Sequence, residues 1–180
     1  GIQWVIRHWA QYQIRIMNIS VGSVKEGNEQ DQKLIEAVEM AWDQGIVVVC
    51  AAGNLGPEHY TITAPGNSRK VITVGMAEEQ NNWYSGRGPT AACVCKPDLV
   101  APGRQIMACT PGAGNLYSMK SGTSMSTPLV SGGIACLLEK EPQLSNVEVK
   151  MLLRESTDDM GLPRNQQGWG KFNCEKLIKN

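Results

Sequence analysis

Apolar positions near the start of the chain fall at helical intervals. Ile2, Val5, Ile6 and Trp9 share one face, which predicts a helix over residues 2–12. A strand at 14–20 and a polar loop at 24–28 follow. Leu34, Ile35, Val38, Ala41 and Trp42 then repeat at i, i+3, i+4 and i+7, predicting a second helix over 30–42 that Gly45 ends. From Ile46 to Ala51 the pattern changes: every residue is apolar and most are β-branched, as in a central parallel strand covered on both faces. A further strand is expected at 71–74, with short strands and turns over 83–115 and a small-residue helix over 124–140. Ser145-Asn146-Val147-Glu148 opens a last clear helix with a capping box, the Ser and Glu side chains satisfying exposed backbone donors. Repeated β-α-β units place the chain in the α/β class, with a mostly parallel sheet, helices on both faces and right-handed crossovers.

Composition narrows the possibilities. The 180 residues suit one domain with a substantial core, and 42% hydrophobic against 19% charged residues is a globular balance. Lys plus Arg equals Asp plus Glu at 17 each, so charge gives no reason to expect a nucleic acid or an acidic membrane as partner. The longest apolar stretches are far shorter than a membrane span. Gly1 is not an initiator Met and stands at the edge of a helical pattern, so the sequence reads as beginning inside an element. Six cysteines (Cys50, Cys93, Cys95, Cys109, Cys136, Cys174) form no CxxC pair; Cys50 and Cys136 lie in apolar runs, and free thiols serving as small buried hydrophobes are expected. His8 and His59 lack metal-ligand spacing, and no catalytic metal is expected.

In an open α/β sheet, ligands bind beyond the C-terminal ends of the strands. Two such loops carry candidate chemistry. Ala51-Ala52-Gly53-Asn54 follows the buried strand; small residues admit another backbone, and the Asn amide supplies a directed donor suited to an oxyanion. The plainer reading is a Gly-Asn turn. Lys120-Ser121-Gly122-Thr123-Ser124-Met125-Ser126-Thr127-Pro128 puts Ser124 at a helix N-terminus, where the dipole favours developing negative charge, and Pro128 near the first turn. The plainer reading there is a hydroxyl N-cap.

Taken with their neighbours these segments resemble the subtilisin-like serine protease family. GTSMSTP (122–128) is similar to its nucleophile motif, NISVG (18–22) to its substrate-binding strand and AAGN (51–54) to its oxyanion-hole loop; SGRGP (85–89) and KPDLVAPG (96–103) resemble two further stretches. The five occur in the family's order and cover most of the chain. The resemblance implies Ser124 as nucleophile, with the backbone N–H of Ser124 and the side chain of Asn54 as the oxyanion hole. It implies Ser20, Val21 and Gly22 as the edge that pairs with an extended polypeptide substrate, and Ala51, Ala52 and Gly53 as the other wall of the pocket for the residue before the scissile bond. No cofactor is implied. Structural calcium, common in the family, finds no Asp-rich loop of suitable spacing.

Departures from the family pattern matter equally. Its Asp and His motifs precede the substrate-binding strand, and neither occurs here: Asp31, Asp43, Asp98, Asp158 and Asp159 stand in other contexts. His8 is expected on the solvent side of the first helix and His59 in a surface loop. Leu129 stands where the family usually has His. Residues 1–180 therefore read as the C-terminal part of a subtilisin-like peptidase domain, its first strands missing, whose partners are its substrate and the missing N-terminal part. The alternative is an inactive pseudoprotease, or a fragment that binds peptides or a complementing chain. Asn18-Ile19-Ser20 formally matches a glycosylation site but lies in a strand expected to be buried.

Overall fold

The computed structural model describes residues 1–23, 29–77, 84–111 and 116–179. The polar loop expected at 24–28 lies outside them. Helix α1 (Ile2–Tyr12) leads to strand β1 (Ile16–Ile19), then α2 (Glu29–Asp43), β2 (Val47–Ala51), β3 (Ile72–Ala77) and β4 (Leu99–Pro102). A short pair, β5 (Ile106–Cys109) and β6 (Tyr117–Lys120), precedes α3 (Thr123–Lys140), α4 (Asn146–Glu155), α5 (Arg164–Gln167) and α6 (Cys174–Lys179). The observed bounds differ from the expected ones by a few residues at element ends, where pattern is weakest.

β1 to β4 form one parallel sheet in sequential order, while β5 and β6 pair antiparallel outside it. All five β2 residues are buried, which requires cover on both faces. Helix α3 lies against all four strands, and α2 packs on β2 with α1 beside it. Val38, Ala41 and Trp42 of α2 and Val130, Ile134 and Leu137 of α3 join Val47, Val48 and Val49 in one core. Each buried Val, Ile or Leu side chain among them contributes roughly 1.5–3 kcal/mol by leaving water. The capping box forms as expected: Glu148 N donates to Ser145 Oγ (3.2 Å) and Ser145 N to Glu148 Oε2 (2.8 Å).

Below the sheet, a charged cluster fixes the starts of β3 and β4. Lys96 is 1% exposed, and its ammonium donates to Asp98 Oδ2 and to Val71 O (2.9 Å). Thr73 N donates to the same carboxylate oxygen (2.7 Å). Lys150, from α4, lies 3.7 Å from Asp98 Oδ1 and donates to Lys70 O and Val71 O, each at 2.9 Å. Burial pulls the Lys150 ammonium down to about 8 against the attraction of Asp98. Lys-Pro-Asp was legible as a motif, but its place as a buried ion pair was not, because nothing in hydropathy marks a lysine for the interior.

Three expectations need correction. Of the six free cysteines only Cys50 is buried; Cys136 is exposed on α3 because its apolar run wraps a helix that buries one side only. Burial pushes the Cys50 thiol up to about 12, so it stays protonated. Asn18 is exposed, its amide donating to Ser20 Oγ and its oxygen accepting from Ser131 Oγ, each at 2.8 Å. Pro128 sits inside α3 beyond its first turn, leaving the Ser124 carbonyl without the usual i+4 donor.

Candidate active site

The C-terminal ends of β1 and β2 and the N-terminus of α3 meet at one place. From β1 the chain passes into Ser20-Val21-Gly22, and from β2 into Ala52-Gly53-Asn54. Ser124, in the first turn of α3, donates its hydroxyl to Ser20 O at 2.8 Å. Asn54 Oδ1 accepts from Thr123 N (3.0 Å) and Thr123 Oγ1 (3.2 Å). A Cβ built on Gly122 would lie 3.3 Å from Asn54 Nδ2. Residues 69 positions apart are thus brought to adjoining places: the loop after β2 grips the start of α3.

Local chemistry explains the arrangement. The N-cap of α3 is Gly122, at φ 141°, with no side-chain cap. A residue with a Cβ rarely takes that backbone conformation. Ser124 is therefore no N-cap, which removes the plainer reading of its hydroxyl. Thr127 Oγ1 donates to Thr123 O (2.7 Å), tying the turn from within. Ser126 Oγ donates to Ala101 O (2.9 Å) and Gly122 N to Gly103 O (2.9 Å), so the KPDLVAPG stretch clamps the helix start to β4. On the other side Gly86 N donates to Gly53 O (2.8 Å) and Met76 N to Ser85 Oγ (3.0 Å). SGRGP thereby holds the Asn54 loop against β3. The motifs legible in the sequence are, physically, the fasteners of this corner.

Donors gather at the site. First-turn amides of a helix have no intrahelical acceptor, and the helix dipole adds positive potential there. Asn54 Oδ1 is taken by the two Thr123 donors, and Asn54 Nδ2 lies beside Gly122 at the start of α3. The set can receive negative charge on an oxygen bonded to a carbon attacked by Ser124 Oγ.

Neither histidine is a partner of Ser124. His8 stacks on Trp4 with ring centroids 4.5 Å apart, its Nδ1 2.7 Å from Trp4 O. His59 Nδ1 lies 2.8 Å from Asn165 Nδ2 and 3.1 Å from Gly88 O. Among the described residues, no group of three or more His, Cys, Asp or Glu is placed to hold a metal, and no helix is long and apolar enough to cross a membrane.

Two residues at the corner went unread in the sequence. Thr123 orients Asn54, and its place directly before Ser124 was the available signal. Thr63, 3% exposed, donates its N–H to Ala52 O (3.0 Å) from the segment beneath the site; Thr-Ile-Thr-Ala-Pro-Gly has no periodicity that would mark it.

Known proteins share this architecture. The model of the subtilase family, Peptidase S8, matches residues 1–170. Serine protease AprX of Bacillus subtilis (strain 168) is 39% identical over 205 residues, covering 99% of this chain and 46% of that protein. Subtilisin BL of Lederbergia lenta is 30% identical over 179 residues, covering 99% and 60%. The chain thus spans about half the length of these relatives. Among solved structures, the patellamide maturation protease PatA superposes with a TM-score of 0.77 at 27% identity, covering 97% of this chain and 65% of that one. The prenylagaramide maturation protease PagA gives 0.78 at 24% identity, with 99% and 66% covered, a likeness of fold.

Proposed function

The chain belongs to the subtilase family, and from that premise we propose that it is the nucleophile-bearing part of a serine endopeptidase domain. Ser124 Oγ attacks the scissile carbonyl, and the acyl-enzyme forms on Ser124. Asn54 Nδ2 and the Ser124 N–H receive the oxyanion. Ser20, Val21 and Gly22 pair with an extended substrate by strand addition, and Ala51, Ala52 and Gly53 form the facing wall. The observation carrying this reading is the junction of Asn54 with the first turn of α3, where Thr123 N and Oγ1 hold the amide oxygen.

A hydroxyl needs a base to become a useful nucleophile. Here the Ser124 hydroxyl donates to a backbone carbonyl, so residues 1–180 alone are expected to be nearly inert. The base and its orienting carboxylate come from sequence upstream of Gly1. Among the described residues β1 is one of the two edge strands of the sheet, and the upstream part adds to that edge. The test compares two chains on a peptide anilide. Residues 1–180 should hydrolyse it no faster than their own Ser124→Ala variant. The chain extended upstream should show hydrolysis that Ser124→Ala nearly abolishes. A folded extended chain that remains silent would overturn the hydrolase reading in favour of a peptide-binding or complementing fragment.

A further inference from the structure

Two exposed thiols stand where helix α6 meets helix α3. Helix α6 packs on α3 and α4, and its Leu177 is fully buried in the core. Two points fix its course along α3. Near the start of α6, a Cβ built on Gly133 would run into the end of the Phe172 ring and lie 3.4 Å from Cys174 Sγ. Near its end, Lys140 Nζ donates to Ile178 O at 2.9 Å. The two helices therefore run side by side in the same direction. Cys136 follows Gly133 by three residues and precedes Lys140 by four, so all three share one side of α3. Cβ atoms three positions apart on a helix are about 5–6 Å from each other. Cys136 is thus the next side chain along α3 from the place that Cys174 Sγ touches. Both cysteines are exposed, with free thiols.

We propose that Cys136 and Cys174 are a disulfide-forming pair whose bond fastens α6 to α3. A disulfide needs Cα atoms about 4.4–6.8 Å apart, closer than helix axes usually pack. Gly133, with no side chain to hold α6 off, permits that approach. Closure needs an oxidant, here a low-molecular-weight disulfide. One cysteine thiolate attacks a sulfur of that reagent and expels one small thiolate; the other cysteine then attacks the mixed disulfide and expels the second. The protein sulfurs give up two electrons and two protons, and the reagent gains them as two thiols. Helix α6 spans only Cys174–Lys179, too short to persist by itself. With the thiols free it is kept by Leu177, by Phe172 against Gly133 and by the Lys140 bond. The cross-link adds a covalent loop over residues 136–174 that restricts the unfolded chain. Cys136 lies twelve residues along α3 from Ser124, about 18 Å of helix rise. The bond therefore acts on stability, and the pair stands whether or not Ser124 is a nucleophile.

The test incubates the chain extended upstream with oxidised glutathione or with dithiothreitol. Remaining thiols are blocked with N-ethylmaleimide, and the non-reduced digest is mapped by mass spectrometry. The oxidised sample should yield peptides joined through Cys136 and Cys174; the reduced sample should yield both cysteines alkylated. Calorimetry should give the oxidised protein a thermal midpoint higher by roughly 5–10 °C. Cys136→Ser and Cys174→Ser, both at exposed positions, should keep the midpoint of the reduced wild type and lose the response to oxidant. The wild-type map decides the pairing without any variant: both cysteines alkylated, or each joined only to glutathione, after oxidation would overturn it. A linked peptide with no change in midpoint would overturn the fastening of α6. A serine variant that keeps the full rise would assign that rise to other cysteines and overturn it equally.

Discussion

Replacing Asn54 tests two roles proposed for one amide. Its oxygen accepts from Thr123 N at 3.0 Å and Thr123 Oγ1 at 3.2 Å, and Thr123 is fully buried. Asn54→Ala strands those donors, which should cost about 1–3 kcal/mol of folding stability. It also removes the Nδ2 donor, and loss of one oxyanion donor lowers kcat by roughly 100- to 1000-fold, or about 2.7–4 kcal/mol of transition-state stabilisation. KM should change far less, because the charge that Nδ2 meets develops mainly in the transition state. Asn54→Asp dissects the two effects. Its carboxylate still accepts from Thr123 and sits favourably at the N-terminus of α3, so urea unfolding should show stability at or above wild type. Turnover should fall at least as far as in Asn54→Ala, since an acceptor now faces the oxyanion. Steady-state kinetics on a peptide anilide, in the chain extended upstream, read the second effect. An Asn54→Ala variant with unchanged kcat would refute the oxyanion assignment; an Asn54→Asp variant as unstable as Asn54→Ala would refute the anchoring of α3 through Thr123.

Other consequences are more local. Lys96→Met leaves Asp98 with only Lys150 at 3.7 Å and the Thr73 N–H, and should destabilise the fold by up to about 3–5 kcal/mol in urea unfolding; a loss near zero would mean the pair is dispensable. Lys150 has its folded pKa at about 8, below the roughly 10.4 of an unfolded lysine. Between those values the unfolded chain binds more protons, so this group's contribution to stability rises with pH. The stability of wild type relative to Lys150→Met should therefore grow from about pH 8 to about pH 10, and a constant difference would remove the shift. Residues 1–180 alone should self-associate through the free edge of β1 in sedimentation experiments, whereas a monodisperse, cooperatively unfolding monomer would show that the edge needs no partner.

Periodic segments were the most legible part of the chain. Val47, Val48 and Val49 announced a doubly covered strand, and Leu34 to Trp42 a helix with one buried face, because burial and period are local properties of sequence. Ser124 and Asn54 were legible as candidates, since small residues and hydroxyls cluster where backbones approach closely. Their junction was not, as it depends on Thr123 donating across from another loop. Cys136 misled because an apolar neighbourhood on a helix says little about which side a residue faces. Lys96 and Thr63 were illegible for a common reason: each is buried against other segments of the chain, Lys96 against the Val71 carbonyl and Thr63 against Gly22 and Gly53.

Covalent trapping addresses the role of Ser124 most directly. The chain extended upstream, treated with a fluorophosphonate and digested, should carry the phosphonyl group on Ser124 alone, with activity lost in proportion to labelling. The Ser124→Ala variant should be folded, unlabelled and inactive, because the reagent needs an activated hydroxyl beside an oxyanion site. A Ser124→Ala variant that still labels and still cleaves peptides would place the nucleophile elsewhere and contradict the assignment.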